Sequence, residues 1–132
     1  MSDCNAQSTL TNVNQRLSRD DGSPMSDGKS YQELLEGLMY PSVSTRPNTS
    51  FTLSGLTQYS KNPKTLHLNA LKEERRYLKG TEDFQVEYSN PNQMKELNCN
   101  TDASWYSTAD AKSFSGILFC RNGGLGHWRS KM

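Results

Sequence analysis

Apolar residues are scarce in this sequence. They fill 33% of 132 positions, well below the share usual in a globular domain. Such a chain supports only a thin core, so part of it must serve as connector rather than packed domain. No apolar run approaches the length of a membrane span. Neither sign of charge is in excess, the net charge being +1, so contact with nucleic acid cannot rest on bulk attraction and needs local geometry. The N-terminal MSDCNAQSTLTNVNQ lacks both the basic start and the apolar centre of a signal peptide. Cysteine is sparse too: Cys4, Cys99 and Cys120 are odd in number and far apart, which argues against a disulfide framework and for reduced thiols. Cys120 and His127 make one pair where a structural zinc needs four ligands. These absences describe a soluble intracellular protein, cytoplasmic or nuclear, with one ordinary domain or the adjoining parts of two.

What is present falls into three stretches. Residues 1–29 are rich in Ser, Asp, Asn and Gln, and RDDGSPMSDG piles up turn formers. They read as a polar, disordered linker, with Leu10, Val13 and Leu17 too few to insist on a helix. Residues 30–81 read as helical. Ser30 and Glu33 form a capping box ahead of Leu34, Leu35, Leu38 and Met39, with a stop at Pro41. A second helix fits between Pro47 and Pro63, with Phe51, Leu56 and Tyr59 on one side. A third runs from about Lys64 to Lys79 and ends at Gly80. From residue 82 the period changes to that of strands: FQVEY (84–88) alternates, SNPNQ is a turn, and KELNCNTDASW is a strand. STADAK is then a loop, FSGILF (114–119) another strand, RNGGLG a hairpin turn, and HWRSKM the start of a further strand. The fold class is α+β, helical in the middle and a three-strand antiparallel meander at the end.

Asp102, in NTDASW at the end of a strand, stands where a metal-dependent nuclease places a carboxylate. Two-metal phosphodiester hydrolysis clamps ions about 4 Å apart between converging carboxylates. Glu96 shares strand parity with Asp102, but six residues of strand separate them by roughly 20 Å. Asp110 lies in the polar loop, aimed by nothing identifiable. One carboxylate binds magnesium poorly. Trp105 and Trp128 could stack on bases, yet core or edge positions in the sheet suit them better. Lys72, Arg75, Arg76 and Lys79 are interrupted by Glu73 and Glu74, which favours a solvated helix face over a phosphate track. His67 and His127 read as packed or exposed rather than catalytic. NGGLG lacks the lysine and helix of a phosphate loop.

Several blocks in fixed order resemble one family. YQELLEGLMYPSVSTRPN (31–48) is similar to Y-x-x-L-x-G-x-L-M-Y-L followed by T-R-P-D, and HLNALKEERRYLKGT (67–81) to H-W-x-A-A-K-R-I-L-R-Y-L-K-G-T. TDASW (101–105), KSFSG (112–116) and HWRSK (127–131) resemble S-D-A-D/S-W, K-S-T-S-G and S-W-x-S-K. This series resembles the Pol polyproteins of Copia-type long-terminal-repeat retrotransposons, where it marks the end of the reverse transcriptase and the beginning of ribonuclease H. The resemblance covers roughly residues 16–132. It implies a helical reverse-transcriptase tail (30–81) followed by the N-terminal part of a ribonuclease H-like domain (82–132). It also implies that Asp102 is the first metal-binding carboxylate of a magnesium site acting on RNA–DNA hybrids. The family's remaining carboxylates are expected after the last block, and its polymerase aspartates before the first.

Departures from the pattern are as telling. Glu74 and Arg75 stand where the family has apolar residues, and burying either unpaired costs several kcal/mol. That face is therefore expected to be exposed or repaired by a local pair. Glu36 replaces a glycine, Pro41 a leucine, Asn48 an aspartate and Leu68 a tryptophan, while Cys99 and Asn100 replace a glycine and an aromatic residue. Three function classes compete on these grounds. The first is a Pol fragment without catalysis of its own. The second is a nuclease active only when completed by downstream sequence. The third is a small nucleic-acid- or protein-binding module that reuses the scaffold. A sheet without its covering helices is expected to expose apolar surface and an edge, favouring self-association or association with Pol proteins.

Overall fold

In the computed structural model, residues 5–9, 22–88, 97–105 and 112–132 are described. Cys4, the Leu10, Val13 and Leu17 spacing, the SNPNQ turn, Glu96, Asp110 and most of STADAK lie outside them. The described order is α1 (Gly28–Ser44), a 3-10 turn (Pro47–Thr49), α2 (Ser50–Leu56), a second 3-10 turn (Thr57–Tyr59) and α3 (Thr65–Gly80), followed by β1 (Leu97–Ser104), β2 (Phe114–Arg121) and β3 (Gly124–Lys131).

Helix α1 starts two residues before the expected serine. Asp27 is its cap: the carboxylate accepts the N–H groups of Lys29 at 3.1 Å and Ser30 at 3.3 Å, and the Ser30 hydroxyl at 2.5 Å. The Ser30 hydroxyl, then the two backbone donors, hold the Asp27 carboxyl below its ordinary range. Glu33 does not close a capping box but pairs loosely with Lys29, 3.9 Å away on the surface. Asp27→Ala should lower the urea midpoint, and Asp27→Asn should restore most of the loss. Equal midpoints in all three chains would remove Asp27 as the cap.

The helix also runs through Pro41 rather than stopping there. Proline forfeits one bond, to the carbonyl of Gly37, and Gly37 is exposed, so water can replace it. Pro41 sits in the last turn, and its own carbonyl accepts from the N–H groups of both Thr45 at 2.9 Å and Arg46 at 2.8 Å. The kink cost is thus confined to a helix end that is otherwise satisfied.

Three amphipathic faces build the core. Tyr31, Leu35 and Leu38 of α1 meet Leu53 and Leu56 of α2, Tyr59, and Ala70, Leu71 and Leu78 of α3. The α2 face therefore runs through Leu53, Leu56 and Tyr59, while Phe51, expected on it, is 41% exposed and serves another surface. Tyr31 is fully buried, with its hydroxyl donating to the Leu56 carbonyl at 2.8 Å, and burial pushes its pKa up. Leu68 packs against this core in place of the family's tryptophan, and Glu36 points to solvent. Within the segment read as linker, the Pro24 carbonyl accepts from Thr65 N–H at 3.0 Å and the Ser26 N–H donates to the Pro63 carbonyl at 2.9 Å, so residues 24–26 satisfy the entrance to α3.

Residues 84–88 are not the expected strand. Their alternation serves local anchors instead. Phe84 N–H donates to the Thr81 carbonyl at 3.0 Å, Arg46 lies 6.0 Å from the Phe84 ring centroid, and the Tyr88 hydroxyl donates to the Leu125 carbonyl at 2.7 Å. The sheet itself is the expected antiparallel meander, in the order β1-β2-β3. Its hairpin turn is tighter than the RNGGLG block suggested. Asn122 and Gly123, both at positive φ (52° and 78°), form a two-residue turn of the kind that matches strand twist. Gly124, Leu125 and Gly126 are already strand, with a bulge where the register shifts between Phe119 and Cys120. The chain is therefore mixed helix and strand, with three helices beside a three-stranded antiparallel sheet among the described residues.

Candidate active site

Strand parity fixes where Asp102 points. Its partner on β2 is Gly116, whose partner on β3 is Ser130. The rows on either side, Ser104–Phe114 and Asn100–Leu118–Trp128, share the same face because side chains two apart emerge together. Two residues of that face touch the helices. Phe114 is buried with its ring centroid 4.6 Å from that of Phe51, and Trp128 Nε1–H donates to the Ser42 carbonyl at 2.6 Å. Lys112, just before β2, donates to Gln58 Oε1 at 3.3 Å. The sheet is thus not bare, contrary to the expectation from sequence; α1 and α2 cover part of one face, and it is the face carrying Asp102. The opposite face and the outer edge of β1 stay exposed among the described residues.

Asp102 opens into a cleft of about 250 Å³ between sheet and helices. Pro47, Ser50 and Phe51 form one wall; Asn100, Gly116, Trp128 and Ser130 belong to the other. The carboxylate is exposed, and its Oδ1 accepts the neighbouring Ala103 N–H at 2.9 Å, which fixes the side chain against its own strand. Besides Arg129, its surroundings are hydroxyls, one amide and apolar surface. Among the described residues, no three His, Cys, Asp or Glu side chains come together. This donor set does not fit a pair of magnesium ions, which needs several anionic oxygens to offset its charge.

The other candidates separate. Trp105 is 83% exposed rather than a core residue of the sheet. His67 is fully buried, stacked on Tyr59 at 3.7 Å, and its Nδ1 accepts the Lys64 N–H at 3.1 Å; it caps α3 rather than facing a site. His127 pairs with Phe119 on the outer face, whereas Cys120 shares the parity of Leu118, so the two cannot ligate one ion. Cys99 is exposed. Lys72 and Arg76 project from α3 into solvent.

Glu74 corrects the expectation of exposure or pairing. It is fully buried in the helical core, and neither carboxylate oxygen has a hydrogen-bond partner in normal geometry. Burial pushes its pKa up to about 7; the Thr52 side chain offsets a little of this, and the like charge of Glu73 adds to it. Arg75 is half-buried, with its Nε unpartnered.

The sequence did not reveal what sits across from Asp102, because Pro47, Ser50 and Phe51 lie far from it along the chain. A signal was present in the T-R-P-N and R-Y-L-K-G-T blocks, which the fold joins. Arg46 is buried at the end of α3, where Nη1 donates to Thr81 Oγ1 at 3.2 Å and Nη2 to the Thr81 carbonyl. Asn48 Nδ2 donates to the Tyr77 hydroxyl. These bonds fix the turn that delivers Pro47, Ser50 and Phe51 to the cleft.

No protein-family model matches the chain, and no solved structure matches it significantly. Curated proteins do. The chain is 34% identical, over 76% of its own length and 71% of the other's, to secreted RxLR effector protein 161 of Plasmopara viticola. It is 33% identical over 88% of its length to the retrovirus-related Pol polyprotein from transposon RE2 of Arabidopsis thaliana, and 32% identical over 77% to that from transposon TNT 1-94 of Nicotiana tabacum. It spans only 8% of each of those two polyproteins. In sequence, therefore, the chain belongs to the retrovirus-related Pol polyproteins of Copia-type transposons, of which it represents a small part.

Proposed function

We propose that this chain represents the junction of reverse transcriptase and ribonuclease H, and that it does not catalyse hydrolysis by itself. The parent role is processing of RNA–DNA hybrids during reverse transcription. The helices through Gly80 correspond to the reverse-transcriptase tail and the meander to the first strands of ribonuclease H. The observation that carries the reading is the position of Asp102. It lies on the first strand of the sheet, on the face turned inward, where a nuclease of this type gathers carboxylates. Opposite it stand a proline, a serine and a phenylalanine. Hydroxyl and apolar groups neither neutralise a metal pair nor activate water.

The purified chain should neither cleave the RNA strand of an RNA–DNA hybrid in magnesium or manganese nor extend a primer. Metal-dependent cleavage that disappears with Asp102→Asn would overturn this. A second reading, a binding module built on the same scaffold, draws on the effector-type relative. That protein shares the segment over 71% of its own length, so the scaffold makes up most of another curated chain. Binding of single-stranded or hybrid nucleic acid without cleavage, lost when Trp105 is replaced by alanine, would favour this second reading.

A further inference from the structure

We infer that α2 is an intramolecular cover for the Asp102 face, so that a helix bringing further carboxylates to Asp102 must first displace it. The inference rests on reading Asp102 as a ribonuclease H carboxylate, but the cover itself is a matter of packing. Three contacts seat the helices on the sheet at separate points: Phe51 on Phe114 at 4.6 Å, Trp128 on the Ser42 carbonyl at 2.6 Å, and Lys112 on Gln58 at 3.3 Å. Gly55 of α2 also faces this ring: a Cβ there would sit in ordinary contact, 3.5 Å from Phe114 Cζ.

A helix packed on a sheet holds its axis about 10 Å from it, and α2 already occupies that layer at the Phe114 end. What remains beside Asp102 is the cleft of about 250 Å³, open to water and small solutes. The carboxylate is thus reachable by an ion and closed to a second helix. Completing the site requires the sheet to lift from Phe51 and from the Ser42 carbonyl.

Thiol labelling tests this in the full chain, with Cys4, Cys99 and Cys120 replaced by serine. One cysteine is placed at Asp102→Cys on the covered face, another at Ala103→Cys on the open face, outside the cleft; both positions are exposed to water. Iodoacetamide should label the two at similar rates. A long polyethylene glycol maleimide should label Asp102→Cys about ten-fold more slowly than Ala103→Cys, a gap set by how often the cover opens. Adding Phe51→Ser should close the gap, and Trp128→Phe should narrow it while helical circular dichroism stays unchanged. Equal labelling by the bulky reagent in the parent chain overturns the cover. Because labelling needs neither metal nor cleavage, the cover can fail while the reading of Asp102 stands, and the reverse.

Discussion

Replacing Glu74 with leucine should stabilise the chain by about 3 kcal/mol at pH 8 and by much less at pH 4, a reversal of the usual cost of a core substitution. Glu74 is fully buried without a hydrogen-bond partner, and its pKa is pushed up to about 7 from 4.5 by desolvation first. A carboxyl whose pKa is higher folded than unfolded favours the native state through its bound proton. Its contribution is fully present below pH 4.5 and is lost as the pH rises through 7. Above 7 the folded chain carries a buried, unpaired charge. Leucine has no such charge and fills a similar volume, so its advantage should grow over that window. Glu74→Gln should remove the pH dependence while keeping the cost of an unsatisfied polar group, about 1–3 kcal/mol. One other group matters in acid, where losing the Asp27 cap weakens the chain. Urea titrations of parent and variant at both pH values isolate Glu74, since that contribution cancels in the difference. A stability gain for Glu74→Leu that is the same at pH 4 and pH 8 would show that the carboxyl is not titrating in the core.

This residue also marks the limit of what the sequence discloses. The period of α3 identifies position 74 as inward-facing, and the structure agrees. What the pattern cannot decide is whether the chain rotates, pairs or buries a misplaced carboxylate, because that depends on the total apolar surface the helix would surrender. Here Ala70, Leu71, Tyr77 and Leu78 outweigh one glutamate. Pro41 follows the same logic, since one lost hydrogen bond at a helix end is smaller than the burial of Ser42 and the capping of the last turn. FQVEY fails for a different reason. Alternation defines a strand only when a neighbour offers a ladder, and Phe84 and Tyr88 find the Thr81 and Leu125 carbonyls instead. The meander was legible because Asn122-Gly123 dictates its own turn. The environment of Asp102 was not, because its opposite wall arrives from α2 through long-range contacts that no local pattern encodes.

Those long-range contacts depend on Arg46, and Arg46→Met should destabilise the chain by roughly 2–3 kcal/mol. The guanidinium is buried at the C-terminal end of α3, where Thr81 presents both its hydroxyl and its carbonyl. Donating a charged N–H to the last carbonyls of a helix satisfies groups left without intrahelical partners and meets the negative end of the dipole. Methionine keeps most of the aliphatic stem, so its deficit reports the lost hydrogen bonds rather than lost packing. Arg46→Lys should recover only a small part, because a single ammonium cannot span the hydroxyl and the carbonyl as the planar fork does. The effect should also reach the cleft. Arg46 precedes the 3-10 turn beginning at Pro47, so releasing it frees the wall that Pro47, Ser50 and Phe51 present to Asp102. Hydrogen exchange should quicken at the end of α3, at residues 81–84, and in the Ser50–Leu56 helix, while the β2–β3 amides keep their parent rates. If Arg46→Lys matches the parent in stability and in exchange at α2, the fork geometry is not what holds the two blocks together. If Arg46→Met quickens α3 alone, the position of the cleft wall is set by α1 and the core rather than by the Arg46–Thr81 bonds.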